Sequence, residues 1–306
     1  MSNSLSKIDL YLKKHRDHDA KDIDLLEESE LIYENHIFTL YRFGGEVYNS
    51  DALIIPSLIN GPEILYLNQN FNIIKLLSRK SNVYLVKWKN INEHNKNYDF
   101  NSYVNEMSDL VASFRELHLL GHCLGGNIAF GSAYLNQNCI SRLTLIGTPW
   151  DFSHFKTNFE ISFEDYDYIP AIFLEIMFFI NDPIEFATRL NRSDNLSRKI
   201  ETWLHSGNNM SKNSYFQIMQ DFVQNNILVK NDWYINSVHI DPLKFYIETL
   251  MINGSKDRIV PLASSETLCQ ILPNAKMSII DSGHVGYLIN SKYQKEIESI
   301  LFVNNY

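Results

Sequence analysis

"ELHLLGHCLGGNIAF", residues 116–130, runs from an apolar segment through a glycine-rich corner into a second, helix-compatible apolar segment. Leu117–Gly121 has the pattern of a buried strand, and a helix is predicted from Leu124. The corner between them reads G-x-C-x-G, a nucleophile elbow with cysteine where serine is usual. Such a nucleophile sits on a strained strand-to-helix turn with little room for neighbours. Gly121 and Gly125 omit the Cβ atoms that would clash, and Gly126 lets the helix pack close to the strand. The free N–H groups and positive end of the new helix favour a thiolate at Cys123 and a developing oxyanion beside it. A buried structural cysteine in a βα turn fits the pentapeptide equally well, so the rest of the chain has to decide.

Strand and helix patterns alternate on both sides of the elbow. Strands are predicted at 36–43 ("HIFTLYRF"), 51–57, 82–88, 142–147, 248–254 and 276–281. Helices are predicted at 71–80, 101–114, from Leu124, at 263–271 and at 291–302. Residues 1–29 also read as helical, with Leu10, Tyr11, Leu25 and Leu26 as buried contacts. This alternation predicts an α/β class: a mostly parallel sheet flanked by helices, in a single domain spanning 1–306. The aromatic-rich, mostly helical block 151–245 interrupts it, and is expected to be a lid or cap insertion over one end of the sheet.

An elbow nucleophile is followed along the chain by an acid and then a base. Asp257 lies in "NGSKDRIVP", just after the predicted strand 248–254, and His284 lies in "DSGHVGYLIN", just after the strand 276–281. Alone, Asp257 could be a turn or capping aspartate and His284 a loop histidine. Together with Cys123 they stand in the required order, each after its own strand, and in a doubly wound sheet those strand ends share the ligand-binding edge. The predicted catalytic set is therefore Cys123, Asp257 and His284. Asp281 comes one element late for the acid, and His118 reads as a core or interface residue. His122 is either pocket-lining or structural, and Asp151 either lines the active-site mouth or caps a helix, the capping reading being favoured. For the oxyanion, the backbone N–H of Leu124 follows from its place after the nucleophile. The loop after "ALIIP" is the usual source of a second donor, which points to the N–H of Leu58.

The 306 residues, 45% hydrophobic, are enough for one large domain. A formal net charge of −9 argues against sequence-independent nucleic-acid binding, although a local basic patch stays open. No apolar signal segment is read at the start. The most apolar run, 169–180, is too short to span a bilayer and contains Glu175. Three cysteines, Cys123, Cys139 and Cys269, suit free thiols in a reducing compartment, so a cytoplasmic location is expected. Of the three, Cys123 is expected to carry the activated thiolate, burial of the other two disfavouring theirs. No cofactor or metal is predicted.

Six phrases, in order, carry a family resemblance: "LIIPSLING" (53–61), "GHCLGG" (121–126), "TLIGTPWDF" (144–152), "DFVQNNIL" (221–228), "DRIVP" (257–261) and "SGHVGYLIN" (282–290). Together they resemble the polyhydroxyalkanoate synthases and their short synthase-like relatives, over about residues 50–292. The resemblance implies an α/β-hydrolase fold and a Cys–Asp–His triad at Cys123, Asp257 and His284. The chain departs from the family at Lys87-Trp88, where the family has "DW", and after Trp203, where an aspartate is often found.

A cysteine nucleophile makes chemical sense in that setting. Its acyl-enzyme is a thioester, nearly balanced in energy with an acyl-CoA, so transfer onward to a hydroxyl runs downhill. Three functions are compatible with these residues. The first is a synthase-like acyltransferase acting on (3-hydroxy)acyl-CoA. The second is a hydrolase: thioesterase, esterase or depolymerase. The third is a non-catalytic lipid- or granule-surface protein. The expected partner is an acyl-CoA or another ester or thioester, with a homodimer possible, no nucleic acid and no transmembrane segment.

Overall fold

The structure, a computed structural model, describes residues 29–44, 48–68, 70–155, 166–174 and 195–302. The helix expected over 1–29, with Leu10, Tyr11, Leu25 and Leu26, lies outside the described residues apart from its last position. So do 156–165 and 175–194 of the expected lid.

The strands in chain order are β1 (Ser29–Glu34), β2 (Phe38–Phe43), β3 (Asp51–Ile55), β4 (Asn82–Trp88), β5 (Leu117–His122) and β6 (Ile140–Ile146). They continue with β7 (Tyr168–Ile169), β8 (Met210–Ser211), β9 (Tyr234–Ile235), β10 (Val238–His239), β11 (Thr249–Gly254) and β12 (Ala275–Ile280). The α-helices are α1 (Ile73–Leu77), α2 (Phe100–Val111), α3 (Leu124–Leu135), α4 (Asn195–Leu204), α5 (Lys212–Gln217), α6 (Leu262–Ile271), α7 (Gly286–Ile289) and α8 (Gln294–Phe302).

One eight-stranded sheet has the order β1-β2-β4-β3-β5-β6-β11-β12. From β4 to β12 every pairing is parallel, whereas β2 pairs antiparallel with both β1 and β4. The α/β-hydrolase fold expected from the resemblance is the one found. β1 was not predicted. Its residues Leu31, Ile32 and Tyr33 are all exposed, so this edge strand lacks the apolar alternation that a half-buried strand shows.

The central strands form because both of their faces are buried. In β3, Leu53 and Ile55 pack with Val104 and Met107 of α2 and Ile128 of α3. Ala52 and Ile54, pointing the other way, pack with Ile74 and Leu77 of α1 and Ile297 and Leu301 of α8. Asp99 caps α2 by accepting from Ser102 N–H at 2.8 Å, and Asn72 caps α1 by accepting from Lys75 N–H at 2.8 Å. α1 is shorter than the predicted 71–80, because Ser78–Lys80 turn the chain into β4.

β5 lies between β3 and β6, so the chain leaving β5 is flanked by the loops leaving those two strands. Contact there is close. A Cβ on Gly125 would stand 2.3 Å from the Pro56 carbonyl oxygen and 2.4 Å from that of Ile55, and one on Gly121 would stand 2.5 Å from Gly126 Cα. Backbone on both sides cannot yield as a flexible side chain would. Gly125→Ala is expected to cost about 2–3 kcal/mol, the upper part of the overpacking range, read as a fall in the urea midpoint. An unchanged midpoint would contradict the close approach.

The described part of 151–245 is less uniformly helical than predicted. α5 runs on into a π-helical segment, Ile218–Gln224, and two short antiparallel ribbons pair β7 with β8 and β9 with β10. This block holds α2 at its start: Gln217 Oε1 accepts from Phe100 N–H at 2.7 Å, and Trp233 Nε1–H donates to Asn101 Oδ1 at 3.0 Å. Among the described residues no helix is long and apolar enough to cross a membrane. The apolar run 169–180 is described only as far as Leu174.

Candidate active site

Cys123 occupies the corner between β5 and α3 with φ 53°, a left-handed conformation that an L-residue adopts only under constraint. The constraint is visible. Its N–H donates to the Ile146 carbonyl at 2.9 Å, and its carbonyl accepts from Gly126 N–H at 2.8 Å. The elbow is thus tied to β6 on one side and to its own helix on the other. Strain stored at such a corner marks a position where side-chain placement matters.

Asp257 lies in the turn after β11. Its Oδ1 accepts from the N–H groups of Ile259 and Val260, both at 2.9 Å, which aims Oδ2 away from the turn. That oxygen accepts from His284 Nδ1–H at 2.6 Å, with both side chains buried. The Cys123 side chain is near enough to the imidazole to act on its electrostatics. The structure therefore brings Cys123, His284 and Asp257 into one chain of contacts. Asp281 is placed elsewhere: it is exposed and pairs with Lys256 at 2.8 Å. Asp151 caps the turn 152–154 by accepting from Ser153 N–H at 2.9 Å. His118 Nε2 lies 2.8 Å from Thr144 Oγ1, and burial drives the pKa of this histidine down to about 3.

Gly147, with φ +54°, ends β6 directly beside the imidazole. A Cβ there would stand 2.9 Å from His284 Cε1. The closeness of the groups shows in their electrostatics. Burial by itself would push the His284 pKa down, but the charge and hydrogen bond of Asp257, followed by those of Cys123, outweigh it and raise the pKa to about 10. His284 is thus charged near neutrality. His122 is pushed the other way, by burial first and then by the His284 charge, with the two rings 5.3 Å apart.

Because the folded pKa of His284 lies above the unfolded value of about 6.5, its charged form adds stability that is complete below about pH 6.5. That contribution is lost as pH rises through about 10. Over this window the urea midpoint is expected to fall more steeply in the unaltered protein than in an Asp257→Asn variant. Parallel curves would show that the pair contributes no such linkage.

Of the two proposed oxyanion donors, Leu124 adjoins Cys123 and Leu58 follows the Ile55–Pro56 backbone that closes on Gly125. Leu124 is the first residue of α3, and Leu58 is buried in the loop after β3. Among the described residues neither N–H has a hydrogen-bond partner, whereas the neighbouring Ile59 N–H is taken by Ser57 Oγ at 3.3 Å. The sequence reading missed Tyr287. It is fully buried, its hydroxyl has no partner among the described residues, and a Cβ on Gly147 would stand 3.2 Å from that oxygen. Its place three residues after His284 was the available signal. His122 Nε2 is likewise buried and unpartnered.

Accessibility runs against one expectation. Cys123 is the buried cysteine, while Cys139 and Cys269 are only half-buried. The Cys269 thiol is nevertheless pushed up, by burial and then by Glu266. The departure at Lys87 is accommodated by an ion pair: Lys87 Nζ lies 3.4 Å from Glu63 Oε1.

A family model described as "alpha/beta hydrolase fold" matches residues 93–291. Among curated proteins, the chain is 24% identical over 310 residues to the poly(3-hydroxyalkanoate) polymerase subunit PhaC of Haloarcula marismortui, covering 88% of this chain and 65% of that protein. It is 25% identical over 300 residues to the subunit of the same name from Haloferax mediterranei, covering 86% and 61%. The chain thus spans less than two thirds of the length of these two relatives. Among solved structures, the carboxylesterase CesB of Bacillus subtilis superposes with a TM-score of 0.57 at 14% identity, covering 97% of this chain and 99% of that one. At that identity the likeness speaks for the fold alone.

Proposed function

Given that the chain belongs to the α/β-hydrolase fold family, we propose that it is an acyltransferase of the polyhydroxyalkanoate synthase-like type, working through an acyl-cysteine on Cys123. The observation that carries this reading is the contact chain Cys123–His284–Asp257 at a strained elbow, with a thiol in the nucleophile position. The similarity to curated polymerase subunits supports the substrate class, a (3-hydroxy)acyl-CoA.

In the proposed first step the Cys123 thiolate attacks the thioester carbonyl. The N–H groups of Leu124 and Leu58 stabilise the oxyanion as it forms. The intermediate then collapses, the C–S bond to CoA breaks, and the His284 imidazolium protonates the leaving thiolate. In the second step neutral His284 takes the proton of an incoming hydroxyl, which attacks the acyl-cysteine. An ester forms, and Cys123 leaves as a thiolate beside the renewed imidazolium. Asp257 holds the ring in orientation and stabilises its positive charge throughout. In this reading the described residues between 151 and 245 serve as a lid over this edge of the sheet.

Incubation with 3-hydroxybutyryl-CoA tests the reading, following free CoA and the fate of the acyl group together. Release of CoA with formation of ester oligomers is the expected result. Free 3-hydroxybutyrate would instead make the protein a hydrolase in which water reaches the same intermediate. No CoA release would overturn catalysis on this substrate and favour a non-catalytic surface role.

A further inference from the structure

The loop that carries Leu58 is fastened at both ends by different parts of the molecule. On the core side, Trp88 Nε1–H of β4 donates to the Pro56 carbonyl at 3.1 Å. On the far side, each contact comes from the segment 203–208 of the inserted block. Asn208 N–H donates to the Ile59 carbonyl at 2.8 Å, and Trp203 Nε1–H donates to the Gly61 carbonyl at 2.8 Å. In return, Asn60 Nδ2–H donates to the Leu204 carbonyl at 3.3 Å. Trp203 and Asn60 are both buried, which limits competition from bulk water at their donors. Leu58, whose N–H has no partner among the described residues, lies between the two sets of anchors.

We propose that Trp203 is a positioning residue for the oxyanion: through the Gly61 carbonyl it holds the loop so that the Leu58 N–H faces the acyl group on Cys123. The inserted block thereby does more than cover the site, because it sets one of the two donors. This inference rests on the acyl-cysteine reading above. Its physical basis is that a donor must sit within hydrogen-bond reach of the developing oxyanion, and that displacement by about 1 Å costs on the order of 100-fold in rate.

The test compares two reactions of one thiol. Acylation by p-nitrophenyl acetate passes through a tetrahedral oxyanion: the Cys123 sulfur bonds to the carbonyl carbon and p-nitrophenolate departs. Alkylation by iodoacetamide displaces iodide at a saturated carbon and forms no oxyanion, yet needs the same thiolate. Trp203→Phe keeps an aromatic ring in place and deletes the N–H donor together with part of the buried indole. It is expected to slow acylation about 10-fold, part of the loss seen when an oxyanion donor is removed outright, with the alkylation rate at Cys123 unchanged; the lost packing lowers the thermal midpoint, so the ratio of the two rates is the readout. Asn60→Ala, which removes a second hydrogen bond between the loop and the same 203–208 segment, is expected to shift the ratio of the two rates in the same direction.

Equal slowing of both reactions would place the effect on the thiolate or on access to it, and would overturn the proposal. Unchanged acylation in both variants would do the same. Absence of any acylation at Cys123 in the unaltered protein is a different outcome: it would overturn the nucleophile assignment itself, and this inference with it.

Discussion

Replacing Cys123 with alanine is expected to abolish covalent acylation, with turnover falling on the order of 10⁶-fold, as when the nucleophile of an interdependent triad is removed. The loss should be that large because nothing else at the corner can take its place. Beside the Cys123 thiol, His284 has Asp257, already hydrogen-bonded to it, and the buried His122 ring, whose centroid is 5.3 Å away. Cys123→Ser should keep a small remainder, since a hydroxyl at that position can still be deprotonated by His284 but does not form a stable anion there. The measurement is intact mass after treatment with 3-hydroxybutyryl-CoA, followed by mapping of the acylated peptide. An acyl group on Cys139, Cys269 or a serine, with Cys123 unmodified, would sink the mechanism. The half-buried state of Cys139 and Cys269 makes this mapping necessary, because access alone would favour them.

Asp257→Asn is expected to lower turnover on the order of 10⁴-fold while leaving the fold intact. The asparagine oxygen can still accept from the N–H groups of Ile259 and Val260, so the turn after β11 keeps its hydrogen bonds. The amide nitrogen then faces His284 Nδ1–H, donor against donor, where a carboxylate oxygen stood at 2.6 Å. The ring loses both the partner that fixes its orientation and the charge that raises its pKa. Asp281→Asn supplies the contrast. That side chain is exposed and paired with Lys256, a surface ion pair of small energetic consequence, so activity should change less than about 2-fold. If the Asp281 variant were the crippled one, the acid would have been assigned to the wrong carboxylate.

The inserted block shows where reading the chain in one dimension stops. Its aromatic content marked it as an interruption of the strand–helix alternation, and Trp203 stood out only as part of a family-like phrase. Its hydrogen bond to Gly61 crosses 142 positions of sequence and leaves no periodic trace. The same holds for Lys87 and Glu63, which meet only because the turn after β3 folds back over the end of β4. Edge strand β1 escaped detection for the opposite reason: it is local, but its apolar residues face solvent, so burial imposed no pattern on it.

By itself the sequence determined the class of fold, the position of the elbow and the order of the three candidate residues. These follow from local rules: buried strands need apolar runs, a strained corner needs glycines, and each candidate sits just beyond its own strand. Only the tertiary structure decided which carboxylate turns toward His284, that Cys123 is the buried cysteine, and that the Leu58 loop hangs between the core and the inserted block. Asp257 and Asp281 both lie near strand ends on the same edge of the sheet. What separates them is the direction in which two backbone N–H groups hold one carboxylate and a lysine holds the other, and side-chain direction comes from contacts between segments far apart in the chain.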